Sequence, residues 1–156
     1  MTLTLNHFSI RSLDLVACER FYCGLLGMHV GPRPPFPFPG LWLYPEPTQD
    51  YARAAVHIIG IDHKDPEGLK QYLGDRDETS LAGTGTIDHV AFFATGLGEM
   101  LARLREHGID GRERTVPLLG LHQVFVDDPN GVVVELNYPA AEKAALDAVA
   151  ATAAAA

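Results

Sequence analysis

A chain of 156 residues, 47% of them apolar, is long enough to close a hydrophobic core and short for more than one large domain. Its 12 Lys and Arg against 20 Asp and Glu leave a net charge of −8. That is the wrong sign for a phosphate backbone or an anionic lipid surface, so neither nucleic acid nor membrane is an expected partner. No apolar run approaches the roughly 20 residues that cross a bilayer, and no basic stretch precedes an apolar one at the start, so a cytoplasmic protein without a secretory leader is expected.

In chain order, residues 5–13 read as a strand with His7 at its third position. A helix follows from about Asp14 to Leu26, with Leu15, Val16, Cys18, Phe21, Tyr22 and Leu25 near helical spacing, and it stops at Gly27. Cys18 and Cys23 lie five apart on that helix and face different ways, which disfavours a disulfide; they read as core residues in a reducing compartment. The Pro-rich segment 32–40 cannot join a central strand and is expected to form a rigid aromatic wall. Residues 54–60 read as a strand carrying His57, and Asp65-Pro66-Glu67 opens a short helix to about Leu73. A stretch rich in Gly, Asp and Thr then leads to a second strand–helix pair. These are residues 87–95, with His89 at the third position, and about Leu97 to His107, stopped by Gly108. The strand Leu121–Asp127 is joined through Asp128-Pro129-Asn130-Gly131, a hairpin signal, to a strand over 132–138 carrying Glu135. The Ala-rich end, 140–156, is readable as a helix whose last residues fray.

The landmarks recur. His89 follows His7 by 82 positions, Gly108 follows Gly27 by 81, and Glu135 follows His57 by 78. The chain therefore reads as one domain over 1–140, with repeat one at about 3–74, a linker at about 75–86, repeat two at about 87–139, and a tail over 141–156. Each repeat is a strand, a helix and about three strands, an α+β class.

Side chains alternate along a strand, so Val133, Glu135 and Asn137 share a face, as do Ile87, His89, Ala91 and Phe93. If equivalent faces of two repeats curve around one cavity, His7, His89, His57 and Glu135 all point into it. A buried carboxylate costs several kcal/mol or so unless it is paired or bound to a metal, and Glu135 has no Lys or Arg in its own strand. Two imidazoles and one carboxylate with open positions suit Fe(II), and also Mn, Ni, Co or Zn. Glu135 as an edge-strand surface residue is the plainer alternative. A single strand histidine such as His57 is also readable as a plain core or surface residue, and His29, His63 and His107, which fall in turns or at helix ends, more so. His122 alternates away from Gln123 and Phe125 and is expected to be exposed. Trp42, Tyr44, Phe36 and Phe38 either shape a pocket for an aromatic or acyl substrate or pack the core. Gly83-Thr84-Gly85 lacks the strand–loop–helix context of a phosphate site.

The motifs Asn6-His7, Phe21-Tyr22 through Gly24-Leu25-Leu26-Gly27, Asp88-His89-Val90-Ala91-Phe92, and Phe125-Val126-Asp127-Asp128-Pro129-Asn130-Gly131 with Glu135-Leu136 resemble the vicinal oxygen chelate superfamily. That superfamily includes glyoxalase I, extradiol dioxygenases, methylmalonyl-CoA epimerase, and the fosfomycin- and bleomycin-resistance proteins. The resemblance covers roughly residues 3–139. It implies two βαβββ repeats forming a curved mixed-sheet cup around a metal, with His7, His89 and Glu135 as ligands and a homodimer as the assembly. His57 falls where glyoxalase I carries a Glu and the epimerase a Gln, so it is either a fourth ligand or an acid/base residue at an open site. Three functions are compatible with the resemblance. The first is a dioxygenase on a catechol or hydroxy-ketone, with Fe2+ or Mn2+ preferred over Zn2+, Ni2+ or Co2+. The second is a glyoxalase- or epimerase-type lyase or isomerase, and the third a metal-free drug-binding protein. Whether the cup closes within one chain or across two is open.

Overall fold

The computed structural model describes residues 7–73, 81, 83–84, 87 and 89–154. Most of the expected linker lies outside the described residues. The chain divides into two compact units, Met1–Gly83 and Thr84–Ala156.

In the first unit, β1 (Phe8–Ser12) leads to α1 (Leu15–Glu19), followed by β2 (His29–Val30), β3 (Gly40–Tyr44), β4 (Val56–Gly60) and α2 (Glu67–Leu73). The strands order as β1-β4-β3-β2, with β1 parallel to β4 and the other pairs antiparallel. Asp14 caps α1, its carboxylate accepting from the Ala17 amide at 2.8 Å. After one α turn the helix widens to a π-helix over Arg20–Leu25, with Leu26 N–H donating to the Phe21 carbonyl at 3.0 Å. A uniform α-helix was the expectation from spacing. The wider turn accompanies burial of two adjacent rings, Phe21 and Tyr22, alongside Cys18 and Leu25. This face packs on β3 and β4, whose Leu43, Val56 and Ile58 are fully or almost fully buried. The chain reverses at Gly27, whose φ of 75° suits a residue without Cβ. Cys18 is buried and Cys23 half-buried, and neither is in a disulfide among the described residues.

The Pro-rich segment runs outside the sheet, as its prolines require. Phe38 packs with Ile59 and Leu69 in a small separate cluster that Phe36 and Ile61 flank. Helix α2 approaches so closely that a side chain at Gly68 would overlap the Pro37 carbonyl.

The second unit repeats the plan. It has β5 (His89–Phe93), α3 (Leu97–His107), β6 (Arg112–Val116), β7 (Leu121–Asp127), β8 (Val133–Pro139) and α4 (Ala140–Ala154). The sheet order β5-β8-β7-β6 matches that of the first unit position for position. Asp128 builds the β7–β8 hairpin, its Oδ1 accepting from the amides of Asn130 at 2.8 Å and Val132 at 2.7 Å, with Gly131 at φ 80°. Glu142 on α4 accepts from the first amides of α3, Gly96 at 2.9 Å and Leu97 at 2.7 Å, so the last helix caps its neighbour. Leu97, Leu104, Val124, Val126, Val134, Leu136 and Tyr138 form the core. The two four-stranded mixed sheets with their helices realise the expected α+β class and duplicated βαβββ plan. No helix among the described residues is long and apolar enough to cross a membrane.

Candidate functional site

Pairing register explains which side chains meet. His89 stands opposite Val133 on parallel strands, so Glu135 is its diagonal neighbour on the same face. Their side chains meet, His89 Nε2 to Glu135 Oε2 at 3.2 Å. Glu135 is 6% exposed, and two side-chain amides compensate the burial of its other oxygen. Its Oε1 accepts from Gln123 Nε2 at 2.8 Å and Asn137 Nδ2 at 2.7 Å. Gln123 Nε2 also lies 3.0 Å from Asn137 Oδ1. The Gln123 orientation is fixed in turn by Arg114, which donates to its Oε1 through Nε at 2.8 Å and Nη2 at 2.6 Å. Phe125, opposite Glu135 in the ladder, sets its ring edge-on to His89 at 6.3 Å. Arg112 and Arg114 lie over that same ring, at 5.5 and 5.2 Å. The result is a carboxylate with one oxygen locked and the other aimed at an imidazole that is 37% exposed.

The first unit has the same register with different chemistry. Ser9 pairs with His57 on parallel strands and Phe8 N–H donates to the Ala55 carbonyl at 3.2 Å, which leaves His57 diagonal to His7. The two imidazoles stack at 3.9 Å, and Trp42, opposite His57 in the ladder, stacks on its other face at 3.9 Å and 4°. His57 Nε2 is a buried nitrogen without a hydrogen-bond partner among the described residues. Burial, and to a lesser degree the charge of His7, push this imidazole down to about 4, so it is neutral at physiological pH.

Beside this stack lies a small open cleft walled by Phe36, Phe38, Trp42 and Tyr72. The aromatic wall expected of the Pro-rich segment is present, with Phe36 and Phe38 stacked at 5.3 Å. Tyr44 instead belongs to the core, fully buried with its hydroxyl donating to the Pro32 carbonyl at 2.6 Å.

The four candidate residues thus come as two pairs, His7 with His57 and His89 with Glu135, one pair in each unit. Among the described residues no group of three His, Cys, Asp or Glu side chains is gathered to hold a metal ion. His122 departs from expectation. It is 2% exposed, held between Thr115 Oγ1 at 2.8 Å from Nδ1 and Glu113 Oε2 at 2.9 Å from Nε2. Its face of β7 is the one covered by the helix layer, and cross-strand partners on β6 satisfy it. The Gln123–Asn137 clamp is a feature that sequence reading missed. Its signal was present, since Asn137 shares the Glu135 face and the hairpin turn fixes Gln123 opposite Asn137.

The family model of the glyoxalase/bleomycin resistance protein/dioxygenase superfamily matches residues 4–136, and the chain belongs to that superfamily. Solved structures agree in fold. Glyoxalase I of Leishmania major, described as trypanothione-dependent, is 19% identical over 99% of this chain and 100% of its own, with a TM-score of 0.59. A glyoxylase/bleomycin resistance protein/dioxygenase domain from a Frankia species is 15% identical, with 89% and 93% covered and a TM-score of 0.60. An antibiotic-binding protein from a Streptomyces species is 18% identical, with 88% and 97% covered and a TM-score of 0.57. No curated protein matches the chain. The fold therefore accommodates enzymes and binding proteins alike, and the choice between them rests on site chemistry.

Proposed function

We propose that the protein is a mononuclear divalent-metal enzyme of dioxygenase type, acting on a small catechol-like or hydroxy-ketone substrate, with His7, His89 and Glu135 as metal ligands. The observation that carries this reading is the His89–Glu135 pair. Two ligands at right angles on an ion about 2.1 Å from each sit about 3 Å apart, close to the 3.2 Å between these donor atoms. The carboxylate is also buried and oriented by two amides, as ligating carboxylates are. The third ligand, His7, comes from the first unit of the same chain or of a second copy in a homodimer.

A divalent ion bound there would grip adjacent substrate oxygens as a Lewis acid, and a redox-active one would also bind dioxygen. The residues do the remaining work. Gln123 and Asn137 hold Glu135 Oε1 so that Oε2 stays directed at the site, and Arg114 holds Gln123. His57, neutral and stacked on His7, offers an imidazole nitrogen to a proton in motion or to the ion itself. The aromatic cleft beside it favours a ring-bearing substrate. The neutral His57 also supports a second reading, a proton-transferring lyase or isomerase in which it moves the proton.

Protein purified without chelators is expected to hold close to one Fe or Mn per chain, and the Fe(II)-loaded form to consume oxygen with a member of a catechol panel. Metal content near zero that added Fe, Mn, Ni, Co or Zn does not restore would instead indicate a binding protein. Bound metal without oxygen uptake, together with proton exchange lost in His57→Ala, would favour the lyase or isomerase.

A further inference from the structure

The site face of the second sheet carries two positive charges that the proposed chemistry does not use. Ladder register sets Ala91, Glu135, Phe125 and Arg112 in one row across β5, β8, β7 and β6, and Phe93, Asn137, Gln123 and Arg114 in the next. Arg112 and Arg114 therefore share a face with the His89–Glu135 pair, and both are exposed. Their guanidiniums bear on one ring, 5.5 and 5.2 Å from the centre of Phe125, and the His89 imidazole lies 6.3 Å from that same ring.

Two like charges gathered on one ring repel unless an anion stands with them. Acids outnumber bases by 20 to 12 in this chain, yet among the described residues none pairs with either arginine. Glu113, between them in sequence, points to the opposite face and holds His122. Asp127, one pleat beyond Phe125 on the site face, forms an ion pair with neither. Arg114 commits Nε and Nη2 to Gln123 Oε1, a neutral acceptor that leaves its charge uncompensated. Arg112 makes no hydrogen bond or ion pair among the described residues, so its planar fork of donors is open. The face in front of them is open too, with Ala91 exposed and Phe93 87% exposed.

We propose that Arg112 and Arg114 form a carboxylate subsite, so that the substrate carries a carboxylate in addition to the oxygens that chelate the ion. Arg is suited to this, since its paired donors match the two oxygens of a carboxylate. Two strand spacings, roughly 9–10 Å between backbones, separate Glu135 from Arg112. The Arg112 side chain reaches back over Phe125, so a ligand one ring long spans the two ends. That the carboxylate belongs to the substrate rests on the metal-enzyme reading; that the pair takes a carboxylate does not.

The test has a metal-free arm and a metal-loaded arm. In chelator-treated protein, benzoate is expected to shift the Nε–H resonances of Arg112 and Arg114 in 15N–1H spectra, and benzamide, its neutral counterpart, to leave them in place. Arg105 on α3, equally exposed, serves as the control for loose ion pairing. Benzoate that moves neither arginine, or moves Arg105 as far, overturns the proposal. In Zn(II)-loaded protein, calorimetry is expected to show 3,4-dihydroxybenzoate binding at least about tenfold more tightly than 3,4-dihydroxybenzamide, as for hydrogen bonds to a charged group. Arg112→Met is expected to abolish that preference and Arg112→Lys to keep part of it; Arg112 is the residue to change because Arg114 also supports Gln123. Equal affinity for acid and amide in the natural protein overturns the assignment of the subsite to the substrate. Equal weakening of both by Arg112→Met overturns it as well, because that marks Arg112 as a support of the sheet. A protein that takes up no Zn(II) fails the metal-enzyme reading, and the metal-free arm then decides the carboxylate subsite by itself.

Discussion

The two units share a strand order and a register, yet treat the same site position in opposite ways. Glu135 on β8 and His57 on β4 are equivalent, each two residues beyond the partner of a first-strand histidine. Each faces an aromatic side chain across the antiparallel ladder, Phe125 in one unit and Trp42 in the other. The difference lies one pleat away. The second unit places Gln123 opposite Asn137 there, and the first places Gly40 opposite Ile59. Two amides can hold a carboxylate in place, whereas a glycine and an isoleucine offer side-chain donors to nothing. The position in the first unit therefore suits a neutral, stackable ring, and burial depresses the basicity of His57 accordingly. The shared plan thus supplies the frame, and four residues beside the site determine which unit can carry an anion.

The sharpest way to break this comparison is to remove the anion. Glu135→Ala is expected to weaken Fe(II) or Mn(II) binding by more than about 100-fold, beyond the roughly 10–100-fold typical of an outer partner. Equilibrium dialysis on protein whose circular dichroism is unchanged measures it; unaltered metal affinity would remove Glu135 from the ligand set.

The converse exchange, His57→Glu, puts a carboxylate where no amide waits for it. Metal-free protein is expected to lose about 3 kcal/mol at neutral pH, as for a buried charge left without a partner. Folding would hold the folded-state pKa of this new acid above its unfolded value, so the unfolded chain releases the proton first. Stability would then be recovered as pH falls toward the unfolded pKa, and urea melts at several pH values would show it. A pH-independent, near-zero cost would mean that Gly40 and Ile59 do not set the polarity of this position.

Gln123→Leu tests the clamp itself. It keeps the shape and deletes the donor to Glu135 Oε1 together with the acceptor for Arg114. Metal affinity is expected to fall about 10–100-fold. An unchanged affinity would show that Asn137 alone suffices to orient the carboxylate.

How much of this was legible beforehand divides along the same line. Strand alternation and the recurring landmarks were enough to place His89 and Glu135 on one face, and Gly27 and Gly108 marked the helix ends. Alternation also separated His122 from Gln123, but it could not say which face of β7 lay under the helices, so a residue buried against Glu113 and Thr115 was expected at the surface. The π-turn at Arg20–Leu25 has no signature in apolar spacing, which α and π geometries share over so short a stretch.

The smallest expected effect concerns the aromatic residues themselves. Trp42 and Phe125 occupy equivalent ladder positions, but only the Trp42 ring stacks flat on its partner, at 4° to His57, while Phe125 stands edge-on to His89 at 86°. A flat indole covers the imidazole and helps to keep it dry, whereas an edge-on ring leaves the imidazole of His89 open on its face. Trp42→Phe makes the two units alike at this position and shortens the stacked surface without introducing polarity. Stability is expected to fall by about 0.5–1.5 kcal/mol, the range of a single aromatic pair beyond its area burial, as read from the urea midpoint by circular dichroism. If the loss is near zero, stacking by Trp42 is incidental, and the exclusion of water from His57 must come from Gly40, Ile59 and His7 instead.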